Sequence, residues 1–205
     1  AFRTQVHGVL VLRDHGACWI ADWPDAALRR DLRDDLRRLQ STGDLTPAAI
    51  GRSDGHALRN DIRADATCWL DDPRCGQAAS RFLARLDAVR TGLNRSLFLG
   101  LESCEAHYAF YPPGGGYARH RDRFRDNDAR VVSWVTYLNP EWGRDDGGAL
   151  RLYLEDEDNG GTIADRSPVG GSVCFLSELE HEVLPAQRER LSIAGWFRRT
   201  ARASV

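Results

Sequence analysis

The sequence predicts an α+β fold in which two helices pack against an antiparallel β-sandwich or barrel. Residues 1–100 contain two helical patterns of apolar residues, whereas the chain after Gly100 consists of short alternating segments separated by Gly, Pro, Asn and Asp. The length of 205 residues and a hydrophobic content of 42% suit one compact domain. We therefore expect a single domain over residues 1–205, with helical support in residues 1–100 and the β core in residues 101–199.

The first predicted helix runs from Pro24 to Gly43. Its leucines recur at helical spacing between arginines and aspartates, with Pro near the start and Gly at the end. A second helix is predicted from Gln77 to about Arg95, with one apolar stripe and a charged opposite face. A one-sided apolar stripe is what core packing requires, so both helices are interpreted as scaffold.

The segment between the helices reads GRSDGHALRNDIRADATCWL and covers residues 51–70. It is polar and irregular before it becomes apolar. Two interpretations fit this pattern: a plain surface loop, or a mobile segment beside a pocket.

Six segments after Gly100 are predicted as strands because apolar and polar residues alternate along them. They are CEAHYAFYPP, RVVSWVTYLN, ALRLYL, SVCFLS, HEVLPA and RLSIAGWF. The acidic stretch EDEDNGG at residues 155–161 is predicted as a solvated hairpin tip.

Composition excludes several functional classes. All 28 basic residues are arginines, so the sites that need a lysine, such as a P-loop or a Schiff base, are excluded. A net charge of −2 gives no general attraction to nucleic acid or to an anionic membrane, and we expect neither as a partner. Five scattered cysteines, the lack of a membrane-length apolar run and the absence of a secretory signal pattern predict a cytoplasmic protein.

The stretch GYARHRDRF, residues 116–124, places His120 and Asp122 two positions apart. Side chains alternate along a strand, so these two point to the same side. His181, in LEHEVLP, begins another strand-like segment well downstream. Two histidines and one carboxylate form the facial triad of non-haem iron sites. A core histidine hydrogen-bonded to a carboxylate is the alternative that these three residues alone leave open.

The last strand, RLSIAGWF, has two different faces. Alternation puts Arg190, Ser192, Ala194 and Trp196 on one face and Leu191, Ile193 and Phe197 on the other. If the apolar set packs against the helices, Arg190 faces the interior, where a guanidinium is costly unless an anion meets it. A dicarboxylate that chelates iron at one end would supply that anion, with Ser192 donating beside it.

These residues occur in a recognisable order: Tyr111, His120-x-Asp122, Tyr137, Gly147-Gly148, His181, Arg190-x-Ser192 and Trp196. The order resembles that of the Fe(II)/2-oxoglutarate-dependent oxygenases, and among them the prolyl 4-hydroxylases related to the animal hypoxia-sensing enzymes. The segments DIRAD, LNRSLFLGLE, YPPGGGY, DRFRD, YLNPEW and HEVLPA are similar to those of bacterial relatives. The resemblance spans roughly residues 24–199 and implies a double-stranded β-helix, the cupin-like jelly roll, with supporting N-terminal helices.

The resemblance implies a role for each matched residue. His120, Asp122 and His181 would bind Fe(II), and Arg190 with Tyr137 would bind the distal carboxylate of 2-oxoglutarate. Tyr111 would lie nearer the metal, and the pocket would be lined by Val135, Leu150, Val183 and Trp196. Arg63 and Asp65 match the family's mobile substrate loop, and Arg130 matches an arginine that contacts substrate. Simpler interpretations stay open: the tyrosines as ordinary strand aromatics, Arg63 as an ion-pair partner of Asp65 or Asp61, and Arg130 as a solvated strand start.

The implied reaction uses Fe(II), 2-oxoglutarate and O2, supported by ascorbate, to hydroxylate a C–H bond. Related halogenases lack the carboxylate at the position of Asp122, so its presence favours hydroxylation. For the bacterial relatives, elongation factor Tu is the reported partner class, with the target proline in its switch I loop.

Three other functions stay in view. The first is hydroxylation of free proline or another small metabolite. The second is AlkB-like repair of nucleic acid, although such enzymes carry a second arginine where this chain has Trp196. The third is a cupin-like module that holds a metal or sugar without turnover.

Overall fold

Two antiparallel sheets and two long helices make up the fold in the computed structural model, which describes residues 12–48, 63–123, 129–154 and 162–200. The seven-stranded sheet has the order β1-β9-β6-β11-β4-β3-β2, and the four-stranded sheet has the order β5-β10-β7-β8. The strands are β1 (Ala17–Ile20), β2 (Thr46–Pro47), β3 (Ala66–Trp69), β4 (Ser103–Tyr111), β5 (Tyr117–His120), β6 (Arg130–Tyr137), β7 (Leu150–Leu154), β8 (Thr162–Arg166), β9 (Ser172–Leu176), β10 (Glu180–Val183) and β11 (Arg190–Arg198).

Both predicted helices are confirmed: α1 spans Ala26–Ser41 and α2 spans Gln77–Leu97. Asp25 begins α1, because its carboxylate accepts a hydrogen bond from the backbone N–H of Leu28 at 2.9 Å. The buried stripe of α1 joins that of α2 in one apolar core formed by Leu28, Leu32, Leu36, Leu39, Phe82, Leu86 and Leu93. No described helix is long and apolar enough to cross a membrane.

The helices cover the outer face of the seven-stranded sheet. Leu191, Ile193 and Phe197 of β11 belong to the helix-facing core. The opposite face of the sheet contributes to a second apolar cluster that includes residues of the four-stranded sheet, among them Leu150 and Val183. The predicted alternation of β11 is therefore confirmed, and its polar face points between the two sheets.

The N-terminal half contributes more than helical support. Strands β1, β2 and β3 all join the seven-stranded sheet, and β3 is the apolar end of the segment predicted as a loop. None of these three strands is predicted, and neither is the exposed β8. Each has at most five residues, a length over which alternation is only a weak signal. The predicted hairpin tip at 155–161, and residues 51–62 of the predicted loop, lie outside the described residues.

Candidate active site

The neighbouring strands β4, β6 and β11 set the layout of the site. Their register places inward-facing side chains in four rows, which run from one end of the barrel to the other. The rows are Arg190 with Tyr111; Ser192 with Ala109 and Tyr137; Ala194 with His107 and Val135; and Trp196 with Glu105 and Ser133.

The structure brings His120, Asp122 and His181 together. His120 ends β5 and lies directly opposite His181 of β10. The Nε2 atom of His120 is 3.6 Å from Oδ1 of Asp122, and that of His181 is 3.5 Å from Oδ2. One ligand atom from each residue fits within 4.8 Å of the others, which is compact enough for a single metal ion.

Backbone carbonyls fix the orientation of both imidazoles. The Nδ1 atom of His120 lies 2.8 Å from the carbonyl oxygen of Ala118, and that of His181 lies 3.0 Å from the carbonyl of Leu179. A carbonyl oxygen can only accept, so each Nδ1 carries the hydrogen. The Nε2 lone pairs are therefore left for a metal, which is the usual arrangement of histidine ligands.

The charge states of Asp122 and His181 suit a metal site. Burial would raise the pKa of the Asp122 carboxyl, but the neighbouring imidazoles and the hydroxyl of Ser133 outweigh burial and hold that pKa well below its usual range. Burial lowers the pKa of His181 and favours its neutral form. The site thus presents one carboxylate and a neutral imidazole, as non-haem Fe(II) requires.

Arg190 is buried at the other end of the rows. Its Nε donates to the carbonyl of Gly148 at 2.9 Å, and one terminal nitrogen donates to Oγ of Ser192 at 2.8 Å. Both acceptors are neutral. Among the described residues, the other terminal nitrogen and the Tyr137 hydroxyl have no hydrogen-bond partner although both are buried. The buried guanidinium therefore has one unused donor nitrogen of its own and the unused Tyr137 hydroxyl near it. This arrangement is complementary to a carboxylate.

Aromatic and aliphatic side chains enclose this guanidinium. Its central carbon lies 5.0 Å from the ring centre of Tyr111 and 5.5 Å from that of Tyr137. Burial raises the pKa of Tyr137 to about 12 despite the nearby cation, so the phenol stays a donor at neutral pH. The same apolar cluster includes Val135, Leu150 and Val183, which the sequence analysis assigned to the pocket wall.

Gly148, the second of the two glycines before β7, occupies a position that requires glycine. Its φ of +65° is rare for other residues, and a Cβ atom there would lie 3.0 Å from the Cβ of Ala186 and 3.1 Å from the Trp142 ring. Only glycine therefore brings this carbonyl up to Arg190 without displacing the loop.

The assigned substrate residues lie around the metal ligands and Trp196. Arg63 pairs with Asp65 through two contacts of 2.7 and 3.0 Å, which is the simpler interpretation of Arg63, and its guanidinium also lies over Tyr117, the ring stacked on His120. Arg130 is not a solvated strand start. It lies 3.6 Å above the Trp196 ring and donates to Glu105 at 2.9 Å.

Trp196 lies apart from Arg190. Its ring contacts are with Trp69, His107 and Arg130, not with the tyrosines around Arg190. The structure thus places Trp196 at the end of the rows where Ser133 and Asp122 lie. Its assignment to the wall of the cosubstrate pocket stays a prediction.

Sequence reasoning missed Ser133, whose hydroxyl donates to Oδ2 of Asp122 at 2.6 Å and lies 2.9 Å from Oγ of Ser177. A signal for Ser133 existed, because it shares the inward face of β6 with Val135 and Tyr137. Ser177 follows β9 and gives no such signal.

Ser133→Ala is expected to weaken Fe(II) binding by about 10- to 100-fold, the usual effect of removing a group that orients a metal ligand. The KM for 2-oxoglutarate should stay unchanged at saturating iron. Iron titration followed by activity checks this, with the exposed Ser103→Ala as control. Equal Fe(II) affinity in the two variants would show that Ser133 does not contribute to iron binding.

Comparisons with known proteins agree with this geometry. A family model described as the 2OG-Fe(II) oxygenase superfamily matches residues 106–198. The crystal structure of a Pseudomonas putida prolyl-4-hydroxylase is 43% identical with a TM-score of 0.85, over 96% of this chain and 100% of that one. A Trichoplax adhaerens prolyl hydroxylase, in complex with a hypoxia-inducible factor oxygen degradation domain peptide, is 26% identical with a TM-score of 0.80, over 96% and 89%.

Among curated proteins, human Egl nine homolog 1 is 28% identical over 195 residues, which are 91% of this chain and 44% of that protein. The chain spans about half the length of the first curated relatives it matches. The solved relatives have the double-stranded β-helix, so the predicted jelly roll with helical support is confirmed. Similarity over the whole length of a solved relative, together with the family match across the site, establishes that the chain belongs to the 2OG-Fe(II) oxygenase superfamily.

Proposed function

We propose that the protein is an Fe(II)- and 2-oxoglutarate-dependent prolyl 4-hydroxylase that modifies a proline in an exposed loop of another protein. The observation that carries the proposal is the buried Arg190. One of its terminal nitrogens and the Tyr137 hydroxyl have no hydrogen-bond partner within the described part of the chain, and both lie in the same barrel as the His120, Asp122 and His181 cluster. The similarity to prolyl hydroxylases supports the choice of substrate class.

The residues present fit both the metal and the cosubstrate. His120, Asp122 and His181 would hold Fe(II) and leave its other positions open. Bound Fe(II), with 2-oxoglutarate and O2, supplies the oxidising chemistry that hydroxylates a C–H bond, and ascorbate would keep the iron reduced. The protein's part is to fix the cosubstrate through Arg190 and Tyr137 and to enclose it with apolar walls.

The competing functions fit the site less well. A halogenase site lacks the carboxylate that Asp122 provides. AlkB-like repair needs a second arginine where Trp196 stands, beneath Arg130. A non-catalytic module would gain nothing from burying Arg190 without an anionic partner beside three potential metal ligands, since such burial costs stability.

The proposed partner is elongation factor Tu, with the target proline in its switch I loop. The resemblance to bacterial prolyl hydroxylases motivates this choice. A protein loop also suits the surroundings of the site. Arg130 stacks on Trp196 beside the half-exposed Trp69, and Arg63 lies over Tyr117, so both could contact a peptide backbone. The alternative substrate, free proline, is too small to need these residues.

A direct comparison tests the substrate. The enzyme is incubated with Fe(II), 2-oxoglutarate and ascorbate, once with elongation factor Tu and once with free proline. We expect one added oxygen on a switch I proline, located by fragmentation in a mass spectrometer. Efficient oxidation of free proline without modification of the factor would overturn the protein substrate and leave the oxygenase class intact.

Arg63→Ala and Arg130→Ala are each expected to lower kcat/KM for the protein substrate by about 10-fold or more, since hydrogen bonds to charged groups contribute about 1.5–3 kcal/mol. The KM for 2-oxoglutarate should change less, because among the described residues neither guanidinium hydrogen-bonds to Arg190 or Tyr137. Arg151→Ala, on the four-stranded sheet, is the matched control. Thermal melts separate these effects from unfolding. If either variant impaired the use of 2-oxoglutarate as much as that of the protein substrate, a substrate-binding role for that arginine would be contradicted.

A further inference from the structure

One buried side chain, that of Asn139, holds the backbone on both sides of Arg190. Its Nδ2 atom donates to the carbonyl oxygen of Glu189 at 3.0 Å, and its Oδ1 atom accepts from the backbone N–H of Leu191 at 2.8 Å. Only 6% of Asn139 is exposed. The amide therefore spans Arg190, which is the residue between its two partners.

The position of Asn139 just after β6 explains these contacts. Strand β6 pairs with β11 as far as Ser192. The chain of β6 then reaches Pro140, which has no N–H to donate to a strand ladder. The N–H of Leu191 and the carbonyl of Glu189 would be the next groups of β11 to bond toward this side. The Asn139 amide, which is both a donor and an acceptor, takes the place of the missing strand residue.

The other edge of β11 is supported by β4, where Arg190 lies directly opposite Tyr111. Asn139 supplies the support on the side where β6 has ended. The start of β11 is thus held from both sides, once by a strand and once by a side chain. Without the Asn139 amide, one N–H and one carbonyl next to Arg190 would lose their partner, which is costly for buried groups.

The guanidinium of Arg190 depends on this backbone position. Its Nε donates to the carbonyl of Gly148 and one terminal nitrogen donates to Ser192, at 2.9 and 2.8 Å. The second terminal nitrogen is the one left for a carboxylate. A displacement of about 1 Å in a binding group can lower activity about 100-fold. A shift at the start of β11 would therefore misdirect that nitrogen, although the Asn139 side chain bonds to backbone groups and not to the guanidinium.

We propose that Asn139 is a positioning residue for 2-oxoglutarate, which acts through Arg190 by fixing the backbone on either side of it. The inference rests on the proposed role of Arg190 and deepens it. The side chain of Glu189 also ties this segment to α1, through an ion pair with Arg37. Both partners of that ion pair are half-exposed, so it contributes little, and the buried amide is the effective support.

A matched pair of variants tests the proposal. Asn139→Leu keeps the approximate volume and removes both hydrogen bonds. Asn94→Leu is the control, because the Asn94 amide of α2 makes the same pair of bonds to the backbone of Leu101, at 2.7 and 2.8 Å. Both variants should melt a few degrees lower than the wild type. Asn139→Leu alone should raise the KM for 2-oxoglutarate, by about 10-fold or more, while kcat at saturating cosubstrate stays within about twofold.

A second readout needs neither iron nor turnover. The Nε–H group of Arg190 is buried and bonded to Gly148, so its NMR signal in the metal-free protein reports the position of the guanidinium. Loss of one signal in Arg190→Lys assigns it. The signal should move in Asn139→Leu and keep its wild-type position in Asn94→Leu. A purely structural role of Asn139 would lower the melting temperature without moving this signal.

Asn139→Asp keeps the test decisive if Asn139→Leu does not fold. This variant retains nearly the same volume and an acceptor for the N–H of Leu191, but it sets a carboxylate oxygen against the carbonyl of Glu189. One of the two bonds is lost. The KM for 2-oxoglutarate should therefore rise about 3-fold or more, and the Arg190 signal should move.

The outcomes separate this inference from the proposed function. If Arg190→Ala leaves the KM for 2-oxoglutarate unchanged, Arg190 is not the anchor of the cosubstrate and the inference fails with it. If Arg190→Ala raises that KM, but the folded Asn139 variants keep the wild-type KM or an unmoved Arg190 signal, the inference alone is overturned.

Discussion

Replacement of His181 by alanine is expected to abolish detectable 2-oxoglutarate turnover, a loss well beyond the roughly 10- to 100-fold that follows from removing a group that merely orients a ligand. The reason is that His181 contributes one of three ligand atoms grouped within 4.8 Å. Asp122→Ala should have the same effect, because it removes the only carboxylate of the group. Succinate formation and Fe(II) binding are the measurements.

The fold should survive these changes. The ligands lie at the end of β5 and on β10 in the four-stranded sheet, away from the core beneath the helices. Thermal melts of the variants should therefore stay close to that of the wild type, and the exposed His15→Ala should keep full activity. Near-normal turnover by either ligand variant would show that the metal assignment is wrong.

Arg190→Ala is expected to raise the KM for 2-oxoglutarate by about 100-fold or more, because two charge-assisted hydrogen bonds of about 1.5–3 kcal/mol each are lost. Arg190→Lys keeps the charge but loses the planar fork, so we expect about a 10-fold rise. Initial rates of succinate formation against 2-oxoglutarate concentration check both values.

Arg188→Ala serves as the control for Arg190. Arg188 precedes the same strand, but it is half-exposed and pairs with Asp146 at the surface. Its removal should leave the KM for 2-oxoglutarate unchanged. If the two Arg190 variants also kept the wild-type KM, the buried guanidinium would not be the anchor of the cosubstrate.

Much of this arrangement could be predicted from the sequence because it depends on local periodicity. The leucine spacing of α1 and the alternation of β11 each determine which face is buried, and both were confirmed by the helix-facing core. The same alternation predicted that Arg190 points inward. The grouping of His181 with His120 required more, since it depends on β5 pairing with β10. The residues alone proposed it but left a core histidine as the alternative, and the family resemblance favoured the metal site.

The remaining features depend on contacts between distant segments, which local patterns do not record. Ser133 contacts Asp122 because Asp122, two residues after the end of β5, lies against β6 of the other sheet. His107 seemed unimportant in the sequence since it has no metal partner nearby, and its position between Trp69 and Trp196 comes from the pairing of β3, β4 and β11. Strand β3 was not predicted because it is only the short apolar end of a segment that begins polar and irregular.

The most direct test of the central claim measures oxygen transfer and cosubstrate use in the same reaction. Elongation factor Tu is incubated with the enzyme, Fe(II), ascorbate, 2-oxoglutarate and isotopically labelled O2. The account predicts one labelled oxygen on a proline ring of the factor and one succinate for each hydroxyproline, with both products lost in Asp122→Ala. Succinate formation without any labelled proline, in the factor or as the free amino acid, would contradict the assignment of the protein as a prolyl hydroxylase.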